Sequence, residues 1–171
     1  MIFFFTAGMQ LPFTRMGNIL TYCALHMVHD EFIYQSGPGG TAQIDGQGMD
    51  NLLVRDFFSP DDYQENYEKA DLIITHAGMG NMISFIEKGL PFIMIPRRAQ
   101  YSEHRNDHQI DSAESISKMF DVPYFSQQDE VYEFLSGFKK GSFSISYDAS
   151  SIIQKRKSFF ANIVEKMKAP G

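Results

Sequence analysis

The sequence predicts an α/β protein built on a doubly wound parallel sheet. Short apolar segments with the character of strands alternate along the chain with segments of helical character, and this alternation favours parallel strands joined by helices. Several strand segments are apolar on both faces, as expected for strands buried under two helical layers. The chain has 171 residues, a usual length for one domain with a proper core.

The predicted strands lie between helical or turn-rich segments. In chain order they are IFFF (2–5), EFIYQ (31–35), NLLVRDF (51–57), DLIIT (71–75), FIMI (92–95) and VPYF (122–125). A different composition marks SGPGGTAQIDGQGMD (36–50), which has five glycines and little apolar content. We interpret this segment as a mobile surface loop.

Two helices are predicted in the first part of the chain. The first lies between the first two strands and has the inward stripe Met16, Ile19, Leu20, Cys23 and Met27. SPDD (59–62) predicts the start of the second helix. Ser59 is a suitable N-cap, Pro60 fits the first helical position, and the two aspartates favour the positive end of the helix dipole.

Two further helices are predicted after the fourth and fifth strands. The third helix would end at Gly89 and Pro91, and the fourth would run from about Ser102 to Phe120. Their inward residues are expected to be Met79, Met82, Ile83 and Ile86 in the third helix, and Ile110, Ala113 and Ile116 in the fourth.

Charge and composition argue against several function classes. The net charge of −6 disfavours a nucleic-acid partner. The single cysteine, Cys23, has no disulfide partner within the chain, which suits a reducing compartment. MIFFFTAG (1–8) is too short for a secretory signal and lacks a basic leading segment. No segment approaches the roughly 18 apolar residues of a membrane span.

DLIITHAGMGN (71–81) places a histidine and two glycines directly after a predicted buried strand. In an open parallel sheet, ligands bind at the carboxyl ends of the strands, and a glycine-rich turn before a helix presents N–H groups to an anion. Gly78 and Gly80 would allow close approach, and His76 could donate to a phosphate oxygen. FTAGM (5–9) repeats the arrangement after the first strand.

Two other interpretations of these glycines are tight strand-to-helix turns and a dinucleotide site. Short turns commonly use glycine, so a purely structural role stays open. The dinucleotide fingerprint fails because Ile83 occupies the position of its third glycine. No Gly-Lys-Ser/Thr sequence follows, so a Walker loop is excluded as well.

PRRAQYSEHRNDHQ (96–109) is a second polar cluster, and its two arginines follow the fifth strand directly. His104 and His108 have the i, i+4 spacing of a zinc site. However, Arg105 stands where HExxH has its glutamate, and no third ligand is evident, so no metal is predicted. The mixture suits hydrogen bonding to a polyhydroxylated ligand, and a solvated helix start is the alternative.

Taken together, TAGMQLPF, DLIITHAGMGN, EKGLPFIMIPRR and EHRNDHQ resemble the carboxyl-terminal domain of glycosyltransferase family 28. The match runs from Met1 to about Gln109, and it is strongest for the small stand-alone subunits of dolichol-linked, capsule or exopolysaccharide glycan synthesis. The resemblance implies a Rossmann-like domain equivalent to the C-terminal half of a GT-B glycosyltransferase. Such a domain binds a UDP-sugar as donor substrate, and no cofactor is required.

The resemblance also implies a partner. The acceptor-binding half would be a separate, membrane-anchored chain that holds a lipid-linked acceptor, and this chain would be cytoplasmic and recruited to the membrane by that partner. The reaction would be an inverting sugar transfer. Residues 1–149 would form the donor domain. Residues 150–171, with five Lys or Arg against one Glu, would form a basic amphipathic helix that packs on the same domain or contacts the partner.

The resemblance implies donor-binding roles for residues in these motifs. Those expected around the diphosphate are Thr6, Gly8, His76, Gly78, Met79, Gly80 and Asn81. Arg97 would lie near the uracil, while Glu103 and His104 would reach hydroxyls of the donor sugar. No residue of the chain is assigned as the catalytic base.

Two positions depart from the family pattern. Met9 replaces a threonine in the first turn, and Ser84 replaces a glutamate that grips the ribose hydroxyls. Loss of that carboxylate weakens donor binding by roughly 1–3 kcal/mol, the range for hydrogen bonds to charged groups. A non-catalytic subunit that retains the fold and the partner interface is therefore an alternative. A sugar-nucleotide epimerase or hydrolase relative is another, disfavoured because one domain lacks the second wall of such a cleft.

Overall fold

A five-stranded parallel sheet forms the centre of the protein. The computed structural model describes residues 1–44, 48–143 and 145. The strands are β1 (Ile2–Thr6), β2 (Glu31–Gln35), β3 (Leu52–Arg55), β4 (Leu72–His76) and β5 (Phe92–Ile95). Their order across the sheet is β3-β2-β1-β4-β5, and every neighbouring pair is parallel.

The strand order creates a switch point between β1 and β4. From the central strand β1 the chain adds β2 and β3 on one side, then crosses back to add β4 and β5 on the other. The loops after β1 and β4 consequently leave the sheet side by side and lead to opposite faces. In open parallel sheets a ligand crevice forms at this point, and both predicted glycine turns lie there.

Helices cover both faces of the sheet. They are α1 (Thr14–His26), α2 (Pro60–Lys69), α3 (Met79–Glu87), α4 (His108–Phe120) and α5 (Gln128–Gly137). Side chains of α1 and α5 share one apolar cluster with the sheet, whereas those of α2, α3 and α4 share the other. The predicted doubly wound α/β fold is confirmed.

The side chains of β1 connect the two clusters. Phe3 and Phe5 enter the cluster under α1 and α5, while Phe4 enters the one under α2, α3 and α4. All three are fully buried, because the central strand has helices on both faces. This explains why IFFF is apolar at every position instead of alternating.

The helix predictions hold for α1 and α2. All five stripe residues predicted for the first helix are buried, and the last of them, Met27, is the C-cap of α1. The Ser59 hydroxyl accepts a hydrogen bond from the Asp62 N–H at 3.2 Å, and Pro60 occupies the first helical position of α2. In α3, Met82 and Ile86 are buried as predicted, but Phe85 is buried in place of Ile83.

The fourth helix begins later than predicted. Residue His108, not Ser102, starts α4, because Ser102 has a left-handed backbone with φ of 56° that ends a short 3-10 turn, Ala99–Tyr101. Ala113 and Ile116 are buried as predicted, whereas Ile110 is only partly buried. The segment before α4 is therefore a loop that reaches the carboxyl edge of the sheet.

The sixth predicted strand, 122–125, is a single bridge beside β5. Met94 donates to the Pro123 carbonyl at 3.0 Å and accepts from the Phe125 N–H at 2.9 Å. Proline lacks an N–H, so this segment cannot continue a hydrogen-bonded ladder.

The third strand is also shorter than predicted and ends at Arg55. The next residue, Asp56, anchors the glycine-rich loop: its carboxylate accepts from Gly39 N–H at 2.9 Å and Thr41 N–H at 2.8 Å. Hydrogen bonds from Thr41 and Gly39 lower the pKa of Asp56 to about 2. The predicted helix at 150–171 lies outside the described residues.

Candidate functional site

A cavity of about 720 Å³ opens at the carboxyl edge of the sheet, at the switch point. Its walls come from the loops after β1, β3 and β4, from the end of β2, from α2 and α3, and from the segment that leads into α4. The predicted donor-binding residues that line it are Gly8, His76, Gly78, Met79, Gly80, Asn81, Arg97 and His104. The other two, Thr6 and Glu103, do not line the cavity.

The imidazole of His76 lies in a slot between the two glycine turns. A Cβ added to Gly8 would stand 2.6 Å from His76 Cε1, and one added to Gly78 would overlap His76 Nε2. Gly8 also has a φ of +82°, which disfavours a side chain. These two glycines therefore make room for the His76 ring, which belongs to the protein itself. Their lack of a Cβ is explained without a ligand.

Gly80 differs from the other two glycines. No atom lies within 4 Å of a Cβ built on it, and it is exposed on the cavity wall in the first turn of α3. Close packing within the protein therefore does not require glycine at this position. The space beside it is open to an incoming ligand.

The amino end of α3 is directed at the cavity. Its N-cap is Gly78, and no side chain caps the helix. The first N–H groups of a helix have no partners within it, and they carry the positive end of the helix dipole. Met79, Gly80 and Asn81 all line the cavity, so this end is suited to an anion.

His76 is held neutral. Burial lowers the pKa of His76 to about 4, and the positive charge of Arg97 acts in the same direction. Its Nδ1 atom is buried and has no hydrogen-bond partner among the described residues. A neutral imidazole still offers one N–H donor and one acceptor. His76 can therefore bind a polar ligand group without adding positive charge.

Thr6 shapes the first turn from beneath. It is fully buried, and its hydroxyl oxygen accepts from Gly8 N–H and from the Tyr63 hydroxyl, each at 3.3 Å. These bonds tie the turn after β1 to helix α2. Thr6 thus supports the turn that carries Gly8.

Arg97 is almost completely buried, with 2% of its surface exposed. Its guanidinium donates to four backbone carbonyl groups: those of Ala7 at 3.0 Å, Leu11 at 2.6 Å, Pro12 at 2.7 Å and Glu103 at 3.4 Å. These contacts occupy the terminal N–H donors of the side chain. Arg97 therefore brings positive charge to the cavity wall, while its hydrogen bonds serve the protein.

The Glu103 carboxylate is bound by the protein as well. It pairs with Arg15, with both N···O distances at 2.8 Å, and accepts from Arg98 N–H at 2.9 Å. His104, the next residue, does line the cavity. Its Nδ1 lies 3.0 Å from Asn106 Oδ1 and 3.3 Å from the Asn106 carbonyl oxygen, so it can donate a hydrogen bond to that residue.

Comparison with known proteins shows the family of the chain. The profile of the glycosyltransferase family 28 C-terminal domain matches residues 19–167. The chain belongs to this family. Within it, residues of the chain are 34% identical over 58 residues to the human UDP-N-acetylglucosamine transferase subunit ALG13. That alignment covers 34% of this chain and 5% of the human protein.

Solved structures agree with this family-28 assignment at the level of the fold. The glycotransferase of kitacinnamycin superposes with a TM-score of 0.57 and 19% identity, over 77% of this chain and 33% of that one. MurG of Acinetobacter baumannii gives a TM-score of 0.58 and 17% identity, over 79% and 40%. Both are GT-B glycosyltransferases, and the chain spans well under half the length of either.

Several cavity residues of this family-28 domain were not assigned from the sequence. They are mostly aromatic or amide side chains: Gln35, Phe58, Tyr63, Gln64, Tyr67 and Gln109. Tyr63 and Tyr67 share one side of α2, so helical spacing could have grouped them, but the pattern is the same as that of a core stripe. Gln109 ends the EHRNDHQ motif, and its Oε1 accepts from Arg97 N–H at 3.1 Å.

The described part of the chain has neither a cluster of metal ligands nor a membrane-spanning helix. Within residues 1–44, 48–143 and 145, no group of three or more His, Cys, Asp or Glu side chains could hold a metal ion. None of the helices described there is long and apolar enough to cross a membrane.

We predict that Gly78→Ala destabilises the domain by about 1–3 kcal/mol, because the new methyl group overlaps the His76 ring and forces it to move. Gly80→Ala is the matched control, since it meets only open space and should change stability by less than about 1 kcal/mol. Urea unfolding measures both effects. Equal stabilities for the two variants would contradict the slot assigned to His76.

We predict that His76 makes the domain sensitive to acid. Its pKa is about 4 in the folded state and about 6.5 in an unfolded chain. The contribution of neutral His76 to the free energy of unfolding is therefore full above pH 6.5 and is lost as the pH falls through 4. Between pH 7 and 4.5 the wild type should lose about 2 kcal/mol more than His76→Asn. Urea unfolding at the two pH values tests this, and parallel losses would show that His76 titrates normally.

Proposed function

We propose that this chain is the donor-binding component of a glycosyltransferase that uses a UDP-sugar. The observation that carries the proposal is the uncapped amino end of α3, which opens into the switch-point cavity of a family-28 domain. Neutral His76 and the charge of Arg97 adjoin the same cavity. The helix end and the charge of Arg97 favour a bound anion over a cation, and the neutral imidazole offers it one N–H donor.

The diphosphate would lie at the first turn of α3. Backbone N–H groups of Met79, Gly80 and Asn81 provide donors there, and the open space at Gly80 accommodates phosphate oxygens. His76 would add one N–H donor. Arg97 would act through its charge, because its terminal N–H groups already bond to carbonyl oxygens.

The nucleoside would lie between α2 and α3. Phe58 and Tyr63 provide an aromatic wall suited to a flat uracil ring. Gln35 and Gln64 offer amide groups, and Ser84 stands where the ribose contact is expected. The sugar would then extend the other way, towards His104 and Gln109, which line the remaining side of the cavity.

The second component would be a membrane-anchored chain that holds a lipid-linked acceptor. The human relative ALG13 is a transferase subunit. This relationship favours a two-component enzyme. This chain would then act at the cytoplasmic face of a membrane, in polysaccharide or glycan synthesis, with 150–171 contributing to the partner contact.

The chemistry would be a single inverting displacement. The acceptor oxygen bonds to the anomeric carbon while the bond from that carbon to UDP breaks, and the acceptor proton passes to a base on the partner. Negative charge that develops on the leaving diphosphate is stabilised by the α3 dipole and by Arg97. A non-catalytic role is the second candidate, because Ser84 leaves this cavity wall without the family's carboxylate.

We predict that the full chain binds UDP and UDP-sugars in competition with one another. Isothermal titration calorimetry measures this directly. Gly80→Phe should weaken UDP binding at least about tenfold, because its ring would occupy the space in front of α3. Gly137→Phe, at the end of α5 and outside the cavity lining, is the control. No UDP binding by the folded wild type would refute the donor-binding function.

We predict that Ser84→Glu tightens UDP binding about tenfold, because it restores a carboxylate that can accept from both ribose hydroxyls. Ser84→Gln is the matched control, since it has the same length without the charge and should give a smaller gain. Calorimetry with uridine diphosphate and with 2′,3′-dideoxyuridine diphosphate, which lacks both ribose hydroxyls, tests whether the gain comes from the ribose. An equal gain for both ligands would contradict a ribose contact at this position.

A further inference from the structure

Arg97 joins two loops that do not neighbour each other in the sheet. It follows β5, whereas the carbonyl groups it binds at Ala7, Leu11 and Pro12 belong to the loop after β1. Strand β4 lies between β1 and β5, and β4 ends at His76. The Arg97 side chain therefore crosses the end of β4 beside the cavity and connects its two rims.

The loop after β1, residues 7–13, is anchored at its ends by buried Ala7 and Phe13, but its middle, residues 9–12, has few other contacts that fix its shape. Gly37 packs against it from the β2 side, where an added Cβ would lie 3.0 Å from the Leu11 carbonyl oxygen. Met9 is 73% exposed and Leu11 is 45% exposed, so their side chains do not anchor the loop in the core. The bonds from the Arg97 guanidinium to the Leu11 and Pro12 carbonyl groups are the main polar restraint on this exposed part of the loop.

Arg97 is itself held in place on every side. Phe13, which is buried, packs with its ring centre 4.4 Å from the guanidinium carbon. Gln109 accepts from the Arg97 backbone N–H at 3.1 Å, and the Glu103 carbonyl accepts from its side chain. The Glu103 side chain is fixed in turn by Arg15. The guanidinium thus has one orientation, with its donors directed at the loop.

We propose that Arg97 is a positioning residue that holds loop 7–13 in the shape that completes the donor cavity, and that it acts without bonding to the ligand. This inference rests on the proposed function, because it assigns the role of Arg97 in UDP binding. A planar guanidinium can bind several carbonyl groups at fixed angles, whereas an ammonium group is a single point of charge. The loop should therefore depend on arginine itself and not only on positive charge.

The test uses the full chain with Arg97→Lys, Arg97→Met and the control Arg98→Met. Arg98 is the adjacent residue, but its side chain donates to Ser126 Oγ at 2.6 Å and does not line the cavity. The first measurement is amide hydrogen exchange at Ala7 and Gly8 without ligand, since both N–H groups are hydrogen-bonded in the folded loop. The second is the UDP dissociation constant from calorimetry, repeated with millimolar guanidinium added.

In Arg97→Lys we expect faster amide exchange at Ala7 and Gly8, with exchange in the β-strands unchanged. We also expect this variant to bind UDP about tenfold or more weakly than the wild type. Added guanidinium should restore part of the binding in Arg97→Met. Arg98→Met should match the wild type in both measurements. If Arg97→Met does not fold, Arg97→Lys, which keeps the charge, decides the question.

Two results would overturn the proposal. Wild-type exchange at Ala7 and Gly8 in Arg97→Lys would show that the loop does not need the guanidinium, and any loss of UDP binding would then indicate direct contact with the ligand. Unchanged UDP affinity in a variant with faster loop exchange would show that loop shape does not control binding. Failure of the wild type to bind UDP would refute the proposed function separately, because the exchange measurement needs no ligand.

Discussion

The packing of the His76 ring between two backbone turns determines how the whole site is arranged. The two turns leave the adjacent strands β1 and β4 at the switch point, and each comes close to the imidazole where it has no Cβ. Because the ring fills the space between them, the loop after β1 and the start of α3 have a fixed separation. The cavity walls on both sides of the switch point are built outward from this contact.

Electrostatics at the site follow from burial. Burial keeps His76 neutral. The positive potential of the site therefore comes from the charge of Arg97 and from the amino end of α3. Neither relies on a flexible exposed side chain: Arg97 is restrained by four carbonyl groups, and the helix end is part of the backbone. Such preorganised charges need little rearrangement when an anion binds or when charge develops on a leaving group. This arrangement suits an anionic ligand.

Sequence reasoning succeeded where local pattern and structure coincide. The five long strands, the α1 stripe and the Ser59 cap were predictable because hydrophobic period and capping chemistry act over a few residues. It was less successful at the loops. The β5–α4 segment was predicted as helix from about Ser102, yet the Glu103 carboxylate bonds to distant Arg15, and Ser102 adopts a left-handed backbone. A contact between residues so far apart in the chain cannot be inferred from spacing.

By itself, the sequence determined the fold class, and it predicted a site at the carboxyl edge of the sheet because parallel strands bring their ends together. Eight of its predicted residues line the cavity found there. Tertiary structure alone decided what those residues do. Gly8 and Gly78 accommodate the His76 ring, Arg97 and Glu103 bond to the protein, and α2 supplies an aromatic wall. These roles depend on which atoms meet across the sheet, and a residue's type and spacing do not specify its partners in three dimensions.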